Sequence, residues 1–272
     1  MKNPAHTIFM PGPYTHFFVA KEAERTLSSP LREVIAQNPA LYFFGSQGAD
    51  FCFFQPSLRR KKENLGSFLH REGGFSSLHV LKFFSHHNEK ALAYALGYVS
   101  HYATDSTFHP YVYAMTGDSA LRHTRLEHVL DARFKKRFSP EKEETSFIQK
   151  LNLEEKELLF FLYTSIAVKS GFPAPKKSTF YRAIFLFNAY LSFPNNLFDG
   201  ANANVRSFIA NEEKRTWTYP ALEKLQSTDS VDELFTKSVL LTQSLNEHFF
   251  QAVKTGAPLP KSLFGKGFLT GI

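Results

Sequence analysis

Cysteine is nearly absent from the chain, which has only Cys52 among its 272 residues. One cysteine cannot form an intrachain disulfide, and it cannot supply the cysteine pairs of structural zinc motifs. If the protein binds zinc, then histidine, aspartate and glutamate must provide the ligands. Ligands of this kind are more typical of catalytic zinc sites than of structural ones.

Signals for regular β-strands are also sparse. The chain has 14 glycines, 14 prolines and few runs of β-branched residues, whereas 30 phenylalanines and 11 tyrosines can fill a large core. We therefore expect an all-α protein with a single compact multi-helix domain over residues 1–255. The Gly-, Pro- and Lys-containing residues 256–272 are expected to form a loosely ordered C-terminal tail.

Long apolar segments are missing as well. No segment has about 18 uninterrupted apolar residues, and the first residues lack an apolar core of signal-peptide length. These absences predict a soluble, cytoplasmic protein without a transmembrane segment. The chain also has no Gly-rich phosphate loop and no nucleophile elbow. Its formal charge of +7 favours anionic partners such as lipid head groups or nucleic acid, and it is equally consistent with ordinary solubility.

Helix signals cover most of the remaining sequence. The first helix is expected to run from His16 to a point before Pro30, with Thr15 as its cap. Further helices are predicted at residues 31–37, 76–85, 89–108, 123–138, 154–170, 178–192, 200–210 and 230–254. Residues 55–75 look irregular and polar, with glycines as breakers. Pro110 is expected to end its helix near His109, because proline lacks the backbone N–H.

Metal-ligand residue types recur within this helical pattern at a spacing of four. There are two such rows, His101, Asp105 and His109 in one and His123 and Glu127 in the other. Residues four apart lie on one face of an α-helix. The preceding segment Ala91–Val99 is apolar almost all round, which is typical of a buried helix. A carboxylate buried there would have to be paired, protonated or bound to a metal.

One His-x-x-x-Asp pair alone would usually be a salt pair or a capped histidine. Here two rows are preceded by His16, Asp50 and His70, which stand beside loop-like sequence, so that eight candidate ligands are present. Zinc takes three or four protein ligands, so eight can serve two ions fully or three with open positions. Such clusters catalyse phosphoester hydrolysis, and we predict a metal-dependent hydrolase. His6 and His128 are further candidates that the spacing leaves open.

These segments resemble the zinc-dependent phospholipase C family over most of the chain. The motifs that carry the resemblance are Tyr14-Thr-His16, Gly48-Ala-Asp50, Leu65-Gly66 through His70, Gly97-Tyr-Val-Ser-His101-Tyr-Ala-Thr-Asp105-Ser-Thr-Phe-His109-Pro110 and His123-Thr-Arg-Leu-Glu127. The order and type of all eight ligands agree with the family. A downstream stretch over residues 211–235 looks like the C-terminal portion of the bacterial branch, and it is less specific.

The resemblance implies a helical fold of the phospholipase C and single-strand nuclease type, with a trinuclear zinc cleft that cleaves phospholipids on the glycerol side of the phosphodiester. The implied ligand sets are Asp50, His70, His101 and Asp105 for one zinc, Asp105 as a bridge and His16 for another, and His109, His123 and Glu127 for the remaining ion. Asp50 is also the implied general base. The expected cofactor is two or three Zn²⁺ ions, and the expected partners are a phospholipid or another phosphodiester and a membrane surface.

The chain departs from the secreted members of the family at the N-terminus and in the spacing of Asp105 and His109. Secreted members bind zinc through the amine and carbonyl of an N-terminal tryptophan, whereas His16 lies too far into this chain for that arrangement. His6 is the alternative ligand there. Glu127 favours a lipid or another small phosphodiester over nucleic acid. The phospholipases that this chain resembles have glutamate at this position, whereas the related single-strand nucleases have aspartate. A zinc nuclease and a catalytically weak zinc-binding scaffold protein are the alternative functions.

Overall fold

The computed structural model describes residues 12–56, 63–139, 150–192, 216–220, 222 and 225–271, and these form an all-α fold. The α-helices are α1 (Pro13–Glu24), α2 (Ser29–Gln37), α3 (Pro39–Gly45), α4 (Leu65–Phe68), α5 (Gly74–Ser85), α6 (Glu89–Thr116), α7 (Ala120–Phe138), α8 (Leu153–Lys169), α9 (Lys177–Ser192), α10 (Val231–Thr255) and α11 (Lys261–Phe264). A 3₁₀ helix spans Asp50–Phe54, and a π-helical turn spans Leu69–Gly73. Two short antiparallel strands, β1 (Trp217–Thr218) and β2 (Gln226–Ser227), pair with Trp217 opposite Ser227.

Most predicted helices have observed counterparts whose ends differ by at most three residues. The first helix begins earlier than predicted, at Pro13, and Gly12 rather than Thr15 is its N-cap residue. The predicted helix at 200–210 lies outside the described residues. None of the described helices combines the length and apolarity needed to span a membrane.

Residues 65–75, which lie in the segment predicted to be irregular, are helical. The Asn64 side chain caps α4 by accepting a hydrogen bond from the Ser67 N–H at 2.9 Å. The chain then passes through the π-helical turn directly into α5. Gly66 does not break this segment but allows close packing, since a Cβ there would lie 2.7 Å from Phe53 N. The helical form is decided by these contacts rather than by intrinsic propensity.

The prediction that Pro110 ends its helix is wrong. Helix α6 continues through Pro110 to Thr116 and stops at Gly117, whose φ is +57°. Proline in a helix interior costs about 3 kcal/mol, mainly because one backbone hydrogen bond is lost. Helix α6 is buried along most of its length and packs against α1, α3, α5, α7 and α10. This burial outweighs the local penalty.

Helix α6 and helix α3 pack with their backbones in contact. A Cβ on Gly97 would lie 2.0 Å from Tyr42 O, and a Cβ on Gly45 would lie 2.3 Å from Tyr94 O. Only glycine fits at such a contact. The close approach brings the loop after α3 onto the next turn of α6, which is where the candidate ligands lie.

The C-terminal residues differ from the loosely ordered tail that the sequence predicts. Gly256 ends α10 in the left-handed conformation, and the chain then turns back onto the core. Leu259, Phe264 and Phe268 are buried there. The reason is apolar burial, because Phe264 packs against Tyr102 of α6 and Phe249 of α10, and Phe268 packs against Tyr102. The domain boundary at residue 255 stays a prediction.

Gly48 provides a direct test of this packing. Its φ is +53°, and a Cβ there would lie 2.0 Å from the His101 ring. We expect Gly48→Ala to lose about 1–2 kcal/mol of unfolding free energy from backbone strain. A further ~1–3 kcal/mol would be lost because the His101 ring must move. Denaturant unfolding measures the sum.

The matched control is Gly171→Ala. Gly171 has a φ of +73°, and a Cβ there would meet nothing within 4 Å. This variant introduces backbone strain without a steric clash, so its free energy of unfolding should fall only by the contribution of about 1–2 kcal/mol expected from strain. Equal losses for the two variants would contradict the proposed contact between Gly48 and His101.

Candidate metal centre

The eight candidate ligands of the sequence converge in the structure. Three groups could each hold a metal ion: His16, His101 and Asp105; Asp50, His70 and His101; and His109, His123 and Glu127. Within each group the ligand atoms lie within 4.8 Å of one another. None of the eight residues is more than 8% exposed. His128 belongs to none of these groups, and His6 lies outside the described residues.

Asp105, on the central helix α6, connects the groups. Its Oδ1 lies 3.3 Å from His16 Nε2 and 3.5 Å from His109 Nδ1. Its Oδ2 lies 3.2 Å from His101 Nε2 and 3.6 Å from His70 Nε2. Both oxygens of one carboxylate therefore face imidazole nitrogens from different groups, which is the geometry of a bridging ligand.

Asp50, His70 and His101 form a compact cluster on one side of Asp105. Asp50 Oδ1 lies 3.1 Å from His70 Nε2 and 4.0 Å from His101 Nε2. His70 Nδ1 lies 2.8 Å from the Gly66 carbonyl oxygen. Because a carbonyl can only accept, Nδ1 carries the proton, and Nε2 faces the cluster.

His109, His123 and Glu127 form the group on the other side. Glu127 Oε1 lies 2.7 Å from His123 Nε2 and 3.7 Å from His109 Nε2. The two imidazole rings are stacked, with centroids 5.5 Å apart. His123 and Glu127 come from adjacent turns of α7, and His109 comes from α6. The packing of these two helices therefore assembles the group.

Several polar atoms of the groups make no hydrogen bond. Among the described residues, these include Asp50 Oδ1, Asp105 Oδ2 and Glu127 Oε2, together with Nδ1 of His16 and of His101. Buried polar atoms are nearly always satisfied by protein, water or an ion. Orphaned carboxylate oxygens among imidazole nitrogens match the ligand set that zinc prefers in sites without cysteine. The residues present therefore fit a metal.

The carboxylates of the centre carry opposite pKa shifts. Burial alone would raise the pKa of Asp105, but the imidazoles of His101, His109 and His16 outweigh burial and hold its pKa below the usual range. Burial raises the pKa of Glu127 well above its ordinary value, and the charge of Asp105 adds to this effect. Negative charge is therefore concentrated at Asp105, where a cation would be bound most strongly.

The histidines of the centre carry pKa shifts in both directions: burial lowers the pKa of His101, whereas burial is outweighed at His16 by the hydrogen bond and charge of Asp105, which raise its pKa. Burial lowers the pKa of His109 to about 4 and that of His123 to about 4. Burial also opposes a charge on His70, but the hydrogen bond and charge of Asp50 raise its pKa to about 9. Neutral imidazole is the form that binds a metal. His109 and His123 are therefore in the metal-binding form near neutral pH, whereas His70 would have to lose a proton to bind a metal.

Sequence reasoning missed Asp131, which positions His16. Its Oδ1 accepts hydrogen bonds from the Thr15 N–H at 2.7 Å and the Thr15 hydroxyl at 2.8 Å. Its Oδ2 accepts from the Tyr14 N–H at 3.2 Å. A carboxylate is favourable at the N-terminus of α1 because of the unpaired N–H groups there. The sequence does contain a signal for this residue, because Asp131 follows His123 and Glu127 at the same spacing of four.

Gly12 is part of the same contact. A Cβ on Gly12 would lie 2.3 Å from Asp131 Oδ1, so a larger residue would separate α1 from α7. Burial raises the pKa of Asp131 to about 6, and its hydrogen bonds to Thr15 and Tyr14 oppose this rise. The start of α1, and with it the position of His16, is thus set by a residue of α7.

We expect Asp131→Ala to lower the free energy of unfolding of the metal-free protein by about 2 kcal/mol, because three buried hydrogen bonds at a helix N-terminus are lost. Asp131→Asn should lose less, since an amide oxygen can still accept. The control is Asp118→Ala, at an exposed position, which should stay within about 0.5 kcal/mol of the unmodified chain. Denaturant unfolding measures all three variants. A loss in Asp131→Ala no larger than in the control would contradict the role of Asp131.

The comparisons agree with the motifs. The family model of zinc-dependent phospholipase C matches residues 15–169, which is more than half of the chain. This range contains all eight residues of the three candidate groups. No curated protein and no solved structure gives a significant match. The family indicated by the motifs is thereby confirmed: the chain belongs to the zinc-dependent phospholipase C family.

Proposed function

We propose that the protein is a zinc-dependent hydrolase of phosphoric diesters, with a phospholipid or a related small phosphodiester as substrate. The observation that carries this proposal is the position of Asp105, whose Oδ1 faces His16 Nε2 at 3.3 Å and whose Oδ2 faces Nε2 of His101 at 3.2 Å and of His70 at 3.6 Å. A bridging carboxylate between metal ions is suited to phosphodiesters, whose attacking and leaving oxygens both need stabilisation. The family membership supports the same reaction class.

The proposed ligands follow the three groups. Asp50, His70, His101 and Asp105 hold one ion, Asp105 and His16 hold a second, and His109, His123 and Glu127 hold a third. Two or three Zn²⁺ ions are expected. When bound, zinc polarises the phosphate oxygens and makes a water molecule more acidic. The carboxylates contribute the negative charge that such ions require. The buried carboxylates and imidazoles together provide rigidly positioned ligand atoms.

Asp50 is the proposed general base. Its Oδ1 lies 3.1 Å from His70 Nε2 and 4.0 Å from His101 Nε2, so the carboxylate faces the ligand cluster, where it can accept a proton from the attacking water. The short 3₁₀ helix Asp50–Phe54 and the loop before it hold the carboxylate in place. His70, at 3.1 Å, orients it.

Zinc analysis of the purified protein and of Asp105→Asn tests the centre. We expect two or three zinc ions per chain, with a loss of more than one in the variant, because Asp105 serves more than one group. Elemental analysis after gel filtration provides the count. Asp118→Asn, at an exposed position, is the control and should keep every ion. Zero or one ion in the unmodified protein would overturn the cluster.

A second candidate function is a catalytically weak zinc-binding scaffold. The observation that favours it is burial, because none of the eight candidate ligands is more than 8% exposed. A metal can stabilise a fold without turning over a substrate. The two functions differ in what Asp50 does once the metal is bound.

Asp50→Asn separates the two functions. An enzyme should lose at least about a hundredfold in hydrolysis, because the base is removed, while the introduced amide can still bind zinc through its oxygen. Phospholipid vesicles, a soluble phosphodiester and single-stranded DNA serve as substrates, and zinc is counted in the same samples. Activity on none of them by the zinc-loaded unmodified protein would favour the scaffold. Cleavage of DNA alone would favour the nuclease.

Three further expectations stay predictions: the cytoplasmic location, membership of the bacterial branch of the family and contact with a membrane surface. The domain boundary at residue 255 also stays a prediction. None of these bears on the assignment of the ligands.

A further inference from the structure

The C-terminal residues Lys261–Gly271, here called the strap, lie directly on the metal centre. Phe264 is fully buried and Phe268 is 3% exposed. The strap is tied to α6 by the hydroxyl of Tyr102, which accepts a hydrogen bond from the Lys266 N–H at 2.9 Å and donates one to the Leu263 carbonyl at 3.4 Å. The strap is therefore docked by both apolar and polar contacts.

The ring of Phe268 packs closely against two of the candidate ligands. Its centroid lies 5.5 Å from that of His70 and 5.7 Å from that of His101. On another side, a Cβ added to Gly74 would lie 2.1 Å from the Phe268 ring. A larger residue at position 74 would therefore displace the Phe268 ring.

The backbone of Phe268 contacts a third ligand. Its carbonyl oxygen lies 3.1 Å from His109 Nδ1. A carbonyl can only accept, so this contact requires a proton on Nδ1 and leaves Nε2 unprotonated. Nε2 is the atom that faces Glu127 Oε1, at 3.7 Å. The contact therefore selects the tautomer in which His109 can bind a metal together with His123 and Glu127.

His109 differs in this respect from other histidines of the centre. His70 receives its Nδ1 partner, the Gly66 carbonyl, from its own helical segment. Within the described part of the chain, Nδ1 of His16 and Nδ1 of His101 make no hydrogen bond. His109 is held instead by a residue 159 positions away in sequence. Its orientation thus depends on the docking of the strap.

We propose that the strap is a component of the metal centre and that Phe268 is a positioning residue whose carbonyl orients His109. This inference rests on the proposed zinc centre. Partners that orient a metal-binding histidine typically change metal affinity by about 10- to 100-fold. The strap accordingly controls the affinity of the group His109, His123 and Glu127.

The coupling is reciprocal. If strap docking strengthens metal binding at His109, then metal binding strengthens strap docking by the same factor. Zinc should therefore slow hydrogen exchange of the Lys266 amide, which is bonded to Tyr102 in the docked strap.

The first experiment compares the full-length protein with a chain that ends at Pro260. Zinc is titrated against a competing chelator, and circular dichroism checks that the shortened chain is folded. We expect at least one zinc ion to bind more weakly, by about tenfold or more, in the shortened chain. An unchanged number of ions with unchanged affinities would overturn the inference, as would a shortened chain that keeps all its ions and becomes more active. A full-length protein that binds no zinc would overturn the proposed function itself.

A full-length variant covers the case in which the shortened chain does not fold. Gly271 has a φ of +68°, and a Cβ there would lie 2.4 Å from Ser106 O. Its N–H donates to Gly267 O at 3.0 Å, so a shift of Gly271 is transmitted to the turn that contains Phe268. Gly271→Ala should therefore weaken the same zinc ion and abolish the protection of the Lys266 amide by zinc.

Gly256→Ala is the matched control for this variant. Gly256 has a φ of +73°, and a Cβ there would meet nothing within 4 Å, so the variant adds backbone strain without displacing the strap. It should bind zinc as the unmodified protein does. A second readout, which reports on the His109 ring rather than on the number of bound ions, comes from NMR of the protein saturated with cobalt. The Nδ1 proton of His109 should exchange slowly in Gly256→Ala and rapidly in Gly271→Ala, and equal exchange in both variants would contradict the role of Phe268.

Discussion

A single buried carboxylate surrounded by imidazoles is the interaction on which the rest of the structure depends. Asp105 faces four histidines at 3.2–3.6 Å and is 2% exposed. Burying a carboxylate is unfavourable unless positive charge or hydrogen bonds compensate for its lost hydration. The neighbouring imidazoles keep it ionised by lowering its pKa, whereas Glu127, on the other side of the centre, has a raised pKa because burial prevails there. Bound cations would relieve both carboxylates, which would account for the polar atoms of the centre that make no hydrogen bond among the described residues.

The helices around Asp105 are held in place by unusually close backbone contacts. Gly45 and Gly97 allow α3 and α6 to touch, and Gly48 lets the loop after α3 pass over the His101 ring. These contacts place Asp50 beside α6. The burial of α6 along most of its length explains why it remains helical through Pro110. A helix that is buried on most sides gains more from packing than it loses at one proline.

The edges of the centre are positioned by distant parts of the chain. Asp131 of α7 holds the start of α1 and therefore His16, and Phe268 of the strap holds His109. Neither residue belongs to the three ligand groups. Both act through hydrogen bonds to groups that lead to a ligand, and such outer partners commonly tune a metal site as strongly as a ligand does. The centre is therefore a property of the whole fold rather than of the helix α6 alone.

The sequence by itself determined the helical class and the two ligand rows, because helix periodicity is local and places residues four apart on one face. It also indicated the family, since the ligand motifs are short and contiguous. Tertiary structure alone decided the path through Pro110, the helical form of residues 65–75 and the docking of the strap, because each depends on burial against residues far away in sequence. The same holds for the contacts of Asp131 and Phe268. A backbone carbonyl leaves no signature in a sequence, and only the folded chain shows that it faces His109.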